Sequence, residues 1–65
     1  MFKLYEVTIN KNYEVVSRDN LVMTDTFENI MEYLEELDAY QFDHMIMLWI
    51  AGSKGEKKLQ VVYED

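Results

Sequence analysis

The 65-residue chain contains no cysteine, no proline and a single histidine, His44. Without cysteine it can form neither a disulfide bond nor a thiolate metal site. A catalytic pair of His44 with Asp43 is not expected either, because neighbouring residues on a strand point to opposite faces and no suitable nucleophile accompanies them. We therefore predict no enzyme, no catalytic residue, no metal site and no cofactor. The length allows one domain, residues 1–65, of marginal stability.

Basic residues are also scarce, since six lysines and arginines stand against 13 aspartates and glutamates and give a formal net charge of −7. A protein that reads nucleic acid normally presents a basic face, so direct binding to nucleic acid is not expected. The excess of carboxylates favours solubility, and it can also steer a protein towards a basic partner.

Long apolar runs are missing as well. The longest, from Met45 to Ala51, has seven residues, whereas about 20 are needed to span a bilayer. The N-terminal sequence MFKLYEVTIN alternates polar with apolar residues and lacks the pattern of a signal peptide. We expect a cytoplasmic protein that does not interact with a membrane.

The clearest secondary-structure signal is the segment from Thr24 to Asp38, TDTFENIMEYLEELD. Its apolar residues recur with a period near 3.6, which predicts an amphipathic helix. The residues of this apolar stripe are Phe27, Ile30, Met31, Leu34 and Leu37. The helix start has competing signals, because Asp25 with Glu28 forms a capping-box pattern while Thr24 and Thr26 are alternative N-caps.

Four further segments are rich in β-branched, aromatic or alternating residues and predict strands. They are Phe2 to Ile9, Tyr13 to Ser17, Met45 to Ala51 and Lys57 to Tyr63. Asparagines at 10 and 12 and glycines at 52 and 55 predict the hairpin turns. The resulting order, β-β-α-β-β, predicts an α+β domain in which one helix covers one face of a four-stranded antiparallel sheet.

Three connecting segments are less regular. Arg18 to Asn20 is a polar cluster that predicts a turn. Leu21 to Met23 is either a short continuation of the second strand or a packed approach to the helix. Ala39 to Asp43 contains two aromatic residues and no glycine, so we predict a packed linker.

The faces of the sheet follow from the alternation of side chains along each strand. We predict that the helix stripe packs on Val7, Ile9, Val15, Ile46, Leu48, Ile50 and Val61. The opposite face then carries Met45, Met47 and Trp49, with Phe2 and Leu4 as neighbours. If that face is free, it forms an exposed apolar patch that suits a protein partner or a second copy. The alternative is that Tyr40 and Phe42 fold over it.

The outer face of the predicted helix is acidic. It carries Glu28, Glu32, Glu35 and Glu36, and no lysine or arginine lies between Arg18 and Lys54. The ordinary interpretation is a solvated helix face. The functional interpretation is a row of carboxylates that imitates phosphates and occupies a basic, nucleic-acid-binding groove of another protein. Small acidic inhibitors of phages and mobile elements use this strategy, and no residue motif links them to this chain.

Two function classes remain, and a small-ligand site under the linker aromatics Tyr40 and Phe42 is a third interpretation. The first is a small acidic protein-interaction module, a regulator or inhibitor of the phage or mobile-element kind, whose partner is a basic nucleic-acid-binding protein. The second is a structural homo-oligomer, in the simplest case a homodimer, that pairs through its free sheet face and has no other partner. The predicted partner-binding residues are Glu28, Glu32, Glu35, Glu36, Met45, Met47 and Trp49.

Overall fold

A computed structural model describes residues 1–64 and shows one helix and five strands in this part of the chain. The elements are β1 (Phe2–Ile9), β2 (Val15–Asp25), α1 (Phe27–Glu36), β3 (Tyr40–Asp43), β4 (Leu48–Ala51) and β5 (Lys57–Tyr63). The sheet is antiparallel throughout, with the strand order β2-β1-β5-β4-β3. The predicted α+β class with one helix is confirmed. The prediction of four strands is wrong, because the described chain forms five.

The additional strand is β3, which lies in the segment predicted to be a packed linker. Its residues pair with β4, where Tyr40 stands opposite Ile50 and Gln41 opposite Trp49. A short strand at a sheet edge needs only one neighbour. The linker therefore becomes an edge strand because β4 offers it a free row of backbone groups.

The predicted strand from Met45 onwards is interrupted by a turn over residues 44–47. Asp43 begins this turn, since its Oδ1 atom accepts hydrogen bonds from the N–H groups of Met45 and Ile46, at 2.8 and 3.4 Å. Such local side-chain bonds compete with strand pairing. Met47 then takes a positive φ of 54°, and the remaining apolar residues form β4.

Strand β2 runs without a break through Arg18 to Asn20, which we predicted to form a turn. The 11 residues of β2 pair with the 8 residues of β1, and three register shifts absorb the difference. The residues left without an opposite partner are Val16, Asp19 and Val22. Each β-bulge bends the strand and increases its twist, so the β1–β2 pair is strongly curved. Leu21 to Met23 continues the strand, as one of the two alternatives predicted.

Helix α1 is shorter at both ends than predicted. Thr26 is its N-cap, because its side-chain oxygen accepts a hydrogen bond from the N–H of Asn29 at 3.2 Å. The capping box of Asp25 with Glu28 does not form. Asp25 instead accepts hydrogen bonds from the Asn29 side chain and the Thr26 N–H, and these bonds hold the pKa of its carboxyl below the ordinary value.

On β1 and β4 the helix covers the face opposite to the one that we predicted, whereas Val61 of β5 faces the helix as predicted. Ile30, Met31, Leu34 and Leu37 of its stripe pack into a single apolar cluster with residues of the three central strands. Phe27, the first residue of the predicted stripe, is instead 37% exposed. The buried members of the cluster are Leu4, Ile30, Leu34, Trp49, Ala51, Leu59 and Val61. Alternation along a strand determines which residues share a face. It does not determine which face the helix covers when both are apolar.

The helix-free face is also shielded from solvent. Val7, Leu48 and Ile50 lie on it by alternation, and all three are buried outside the helix-side cluster. The rings of Tyr13, in the β1–β2 turn, and Phe42, in β3, have centroids 4.5 Å apart. These segments belong to opposite edges of the sheet order, so the sheet must curl towards its helix-free face. The curl brings the β1–β2 turn and β3 over this face.

The β4–β5 turn depends on Gly52, which has a φ of 97°. A Cβ atom at this position would collide with the Glu56 side chain, whose Oε1 accepts the N–H of Lys54 at 3.1 Å. Gly52→Ala is expected to lower the free energy of unfolding by about 1–2 kcal/mol, measured by chemical denaturation. Ser53→Ala, exposed in the same turn, is the control. Equal midpoints would show that the turn accepts a side chain.

Candidate functional site

The outer face of α1 carries the four predicted carboxylates, Glu28, Glu32, Glu35 and Glu36, and all of them are exposed. We call this set the acidic helix face. Residues four apart lie one above the other on a helix, separated by about 6 Å along its axis. Three of the carboxylates therefore form a row, and Glu35 lies beside it.

The acidic helix face has no cationic partner among the described residues. The one ion pair found within residues 1–64 joins Lys3 Nζ to Glu64 Oε1 at 3.1 Å, and neither residue belongs to α1. The last turn of the helix contains no basic residue. Glu35 and Glu36 instead stand at the end where the helix dipole favours cations. Their placement is therefore electrostatically unfavourable for the isolated domain.

The predicted apolar patch does not form. Trp49 is only 6% exposed because α1 packs over it, and Met47 is partly buried against the same cluster. Met45 is 82% exposed in the β3–β4 turn, so it stands apart from the other two. Of the two alternatives, internal packing is the one found. The cover is α1, however, and not Tyr40 and Phe42.

A cleft of about 710 Å³ opens on the helix-free side, between the start of β2 and the β3–β4 turn. Its charged residues are Glu14, Arg18 and Asp43, and the Tyr13 ring lines it as well. This cleft was not predicted from the sequence. Its residues come from distant segments that meet only because the sheet curls, and neither periodicity nor a local motif signals that contact.

Arg18 crosses one side of this cleft. Its Nε atom donates a hydrogen bond to Gln60 Oε1 at 3.2 Å, and its guanidinium carbon lies 5.5 Å from the centroid of the Tyr5 ring. Gln60 Nε2 in turn donates to the Ile46 carbonyl oxygen at 3.0 Å. The network fixes the orientation of the Gln60 amide and ties β2 to β5 and to the β3–β4 turn.

Residues 1–64 contain no group of three or more histidine, aspartate or glutamate side chains arranged to hold a metal ion. Over the same residues, no helix is long and apolar enough to cross a membrane. Comparisons of the chain with protein-family models, curated proteins and solved structures gave no match.

Proposed function

We propose that this protein is a small acidic interaction module that binds a basic surface of a partner protein through its acidic helix face. The observation that supports this most is the combination of four exposed carboxylates on one helix face with the absence of any cation to pair them among residues 1–64. The opposite side of the same helix is anchored by the buried Ile30 and Leu34. An anchored helix presents its charges in a fixed arrangement, which reduces the ordering required on binding.

The partner that fits this face is a basic nucleic-acid-binding protein. A groove that binds phosphates is lined by lysine and arginine, and both also bind carboxylates. A row of carboxylates about 6 Å apart can occupy such a groove and exclude the nucleic acid. The protein would then act as a regulator or inhibitor, as small acidic proteins of phages and mobile elements do.

The position of Glu35 and Glu36 also favours this proposal over simple solubility. Carboxylates for solubility can stand anywhere on the surface, whereas these two stand against the negative end of the helix dipole. A basic partner would remove that unfavourable interaction on binding. The alternative, a homo-oligomer paired through the free sheet face, has less support because Val7, Leu48 and Ile50 are already buried within one copy.

The double change Glu32→Gln with Glu36→Gln tests the proposal, using a basic partner captured from a bacterial lysate at low salt and released at high salt. Glutamine has a helix propensity close to that of glutamate, so the fold should persist. We expect the association rate at low salt to fall about tenfold, and its dependence on salt to become weaker.

The matched control is Glu6→Gln with Glu56→Gln, which removes the same charge outside the acidic helix face and keeps the oxygens that accept hydrogen bonds from Asn20 and Lys54. If both double variants lower the association rate equally, the effect comes from the net charge of the protein and not from the acidic helix face. An unchanged rate in the helix variant at every salt concentration would reject the acidic helix face as the binding surface.

A further inference from the structure

The cleft on the helix-free side is lined by one aromatic residue, Tyr13, and by two carboxylates. The rings of Tyr13 and Phe42 lie in contact, and they remain 48% and 38% exposed. Glu14 and Asp43 line the cleft in the adjoining positions of the chain. The cleft lies on the opposite side of the sheet from α1, so a ligand bound in it would not contact the acidic helix face.

Tyr13 is held in an unfavourable backbone conformation. Its φ is 61°, a region that bulky side chains rarely adopt. The turn is held by Asn10, whose carbonyl accepts the Tyr13 N–H and whose Oδ1 accepts the Glu14 N–H, both at 3.0 Å. Asparagine tolerates this conformation better than tyrosine, yet the sequence places a tyrosine there. The turn thus holds an aromatic residue of strained backbone conformation at the cleft.

Each carboxylate of the cleft is engaged through one oxygen. Glu14 Oε1 accepts a hydrogen bond from Asn10 Nδ2 at 3.0 Å, while Asp43 Oδ1 accepts the two backbone N–H groups of the β3–β4 turn. These bonds fix the carboxylates in place, and the second oxygen of each has no hydrogen-bond donor among the described residues. Both groups can therefore accept a hydrogen bond from a ligand.

The charge of the lining favours a cation. Arg18 is the one basic residue that lines the cleft, against two carboxylates. Its guanidinium is oriented by Gln60 and lies over the Tyr5 ring. The chain as a whole carries a net charge of −7, which favours the approach of cationic groups.

We propose that this cleft binds an arginine side chain presented by a protein partner. A guanidinium is planar, so it can lie against the face of the Tyr13 ring while its N–H groups donate to Glu14 and Asp43. The volume of about 710 Å³ is ample for one side chain and its flanking backbone. The Tyr13 ring and the two carboxylates would then all contact the bound guanidinium.

The test is a titration of the full ¹⁵N-labelled chain with acetyl-Gly-Arg-Gly-amide, followed by amide chemical shifts. We expect saturable shifts that are confined to residues 12–18, 43–46 and 60. The same peptide with citrulline, which has nearly the shape of arginine without its charge, should produce no saturable shift. Saturation by acetyl-Gly-Glu-Gly-amide in place of the arginine peptide would overturn the proposal, because the cleft would then bind anions through Arg18.

The double variant Glu14→Gln with Asp43→Asn keeps the oxygen atoms that accept the hydrogen bonds of the turns. It should weaken binding of the arginine peptide about tenfold, as expected for the loss of two exposed charge contacts. Glu6→Gln with Glu56→Gln removes the same charge outside the cleft and the acidic helix face and should leave the affinity unchanged. If both variants weaken binding of the arginine peptide equally, the peptide is attracted by net charge alone. The cleft would then be rejected as its binding site.

Tyr13→Asn supplies a variant that does not alter charge. Asparagine suits the positive φ of this position, so the turn should persist while the ring is lost. We expect severalfold weaker binding of the arginine peptide. Undiminished affinity in both Tyr13→Asn and the cleft double variant would contradict the proposal.

Discussion

Replacing Leu34 with alanine is expected to lower the free energy of unfolding by about 2–5 kcal/mol. Leu34 is 2% exposed and joins the helix to the buried residues of the central strands. A domain of this length has a total stability of roughly 3–10 kcal/mol, so the variant should lose a large part of it. Urea denaturation measures the effect, with the fluorescence of Trp49, the single tryptophan, as the probe.

Glu35→Ala is the matched control for Leu34→Ala, because it changes the next residue of the same helix on its exposed face. Alanine is at least as favourable in a helix as glutamate, and surface substitutions usually alter stability by less than about 0.5 kcal/mol. A Leu34→Ala variant that unfolds at the same urea concentration as Glu35→Ala would show that α1 does not pack through its apolar stripe.

The helix and its acidic face could be predicted from sequence because both depend on local periodicity. Ile30 and Leu34 lie on the buried side as the stripe indicates, and Glu28, Glu32, Glu35 and Glu36 lie outside. The N-cap was less certain, since Thr24, Asp25 and Thr26 are all residue types that cap helices. The geometry of the Asn29 hydrogen bonds decides among them.

The face of the sheet that α1 covers could not be predicted by the same reasoning. Met45 to Ala51 is apolar on both sides of its alternation, so either Leu48 or Trp49 could face the helix. The choice depends on long-range packing of the helix against β1 and β5. The patch of Met45, Met47 and Trp49 does not form, because Trp49 faces α1 and Met45 lies in the β3–β4 turn.

The cleft lay beyond prediction for a different physical reason. Its walls come from β2, β5 and the β3–β4 turn, and the pairing of β2 with β1 skips Val16, Asp19 and Val22. A bulge inserts one residue into the pairing of two strands, and the residue types at these positions carry no signal for it. The polar segment that includes Asp19 instead suggested a turn, which would have ended the strand before the sheet could curl.

Replacing Trp49 with lysine is expected to abolish the fold. If Trp49 stood on a free sheet face, this change would leave a folded and more soluble protein. It stands instead beneath α1, where its loss alone costs about 3–5 kcal/mol. A lysine there would also bury an unpaired charge, at a cost of several kcal/mol more. The combined cost approaches or exceeds a total stability of roughly 3–10 kcal/mol.

Far-ultraviolet circular dichroism and the dispersion of amide resonances measure the outcome of Trp49→Lys, and Met45→Lys is its control. Both positions belong to the apolar run that predicted the patch, but Met45 is exposed in the β3–β4 turn. Met45→Lys should therefore keep a dispersed spectrum and a nearly unchanged midpoint of unfolding. A folded Trp49→Lys variant with the same midpoint would place Trp49 at the surface and restore the apolar face as a binding surface for a partner.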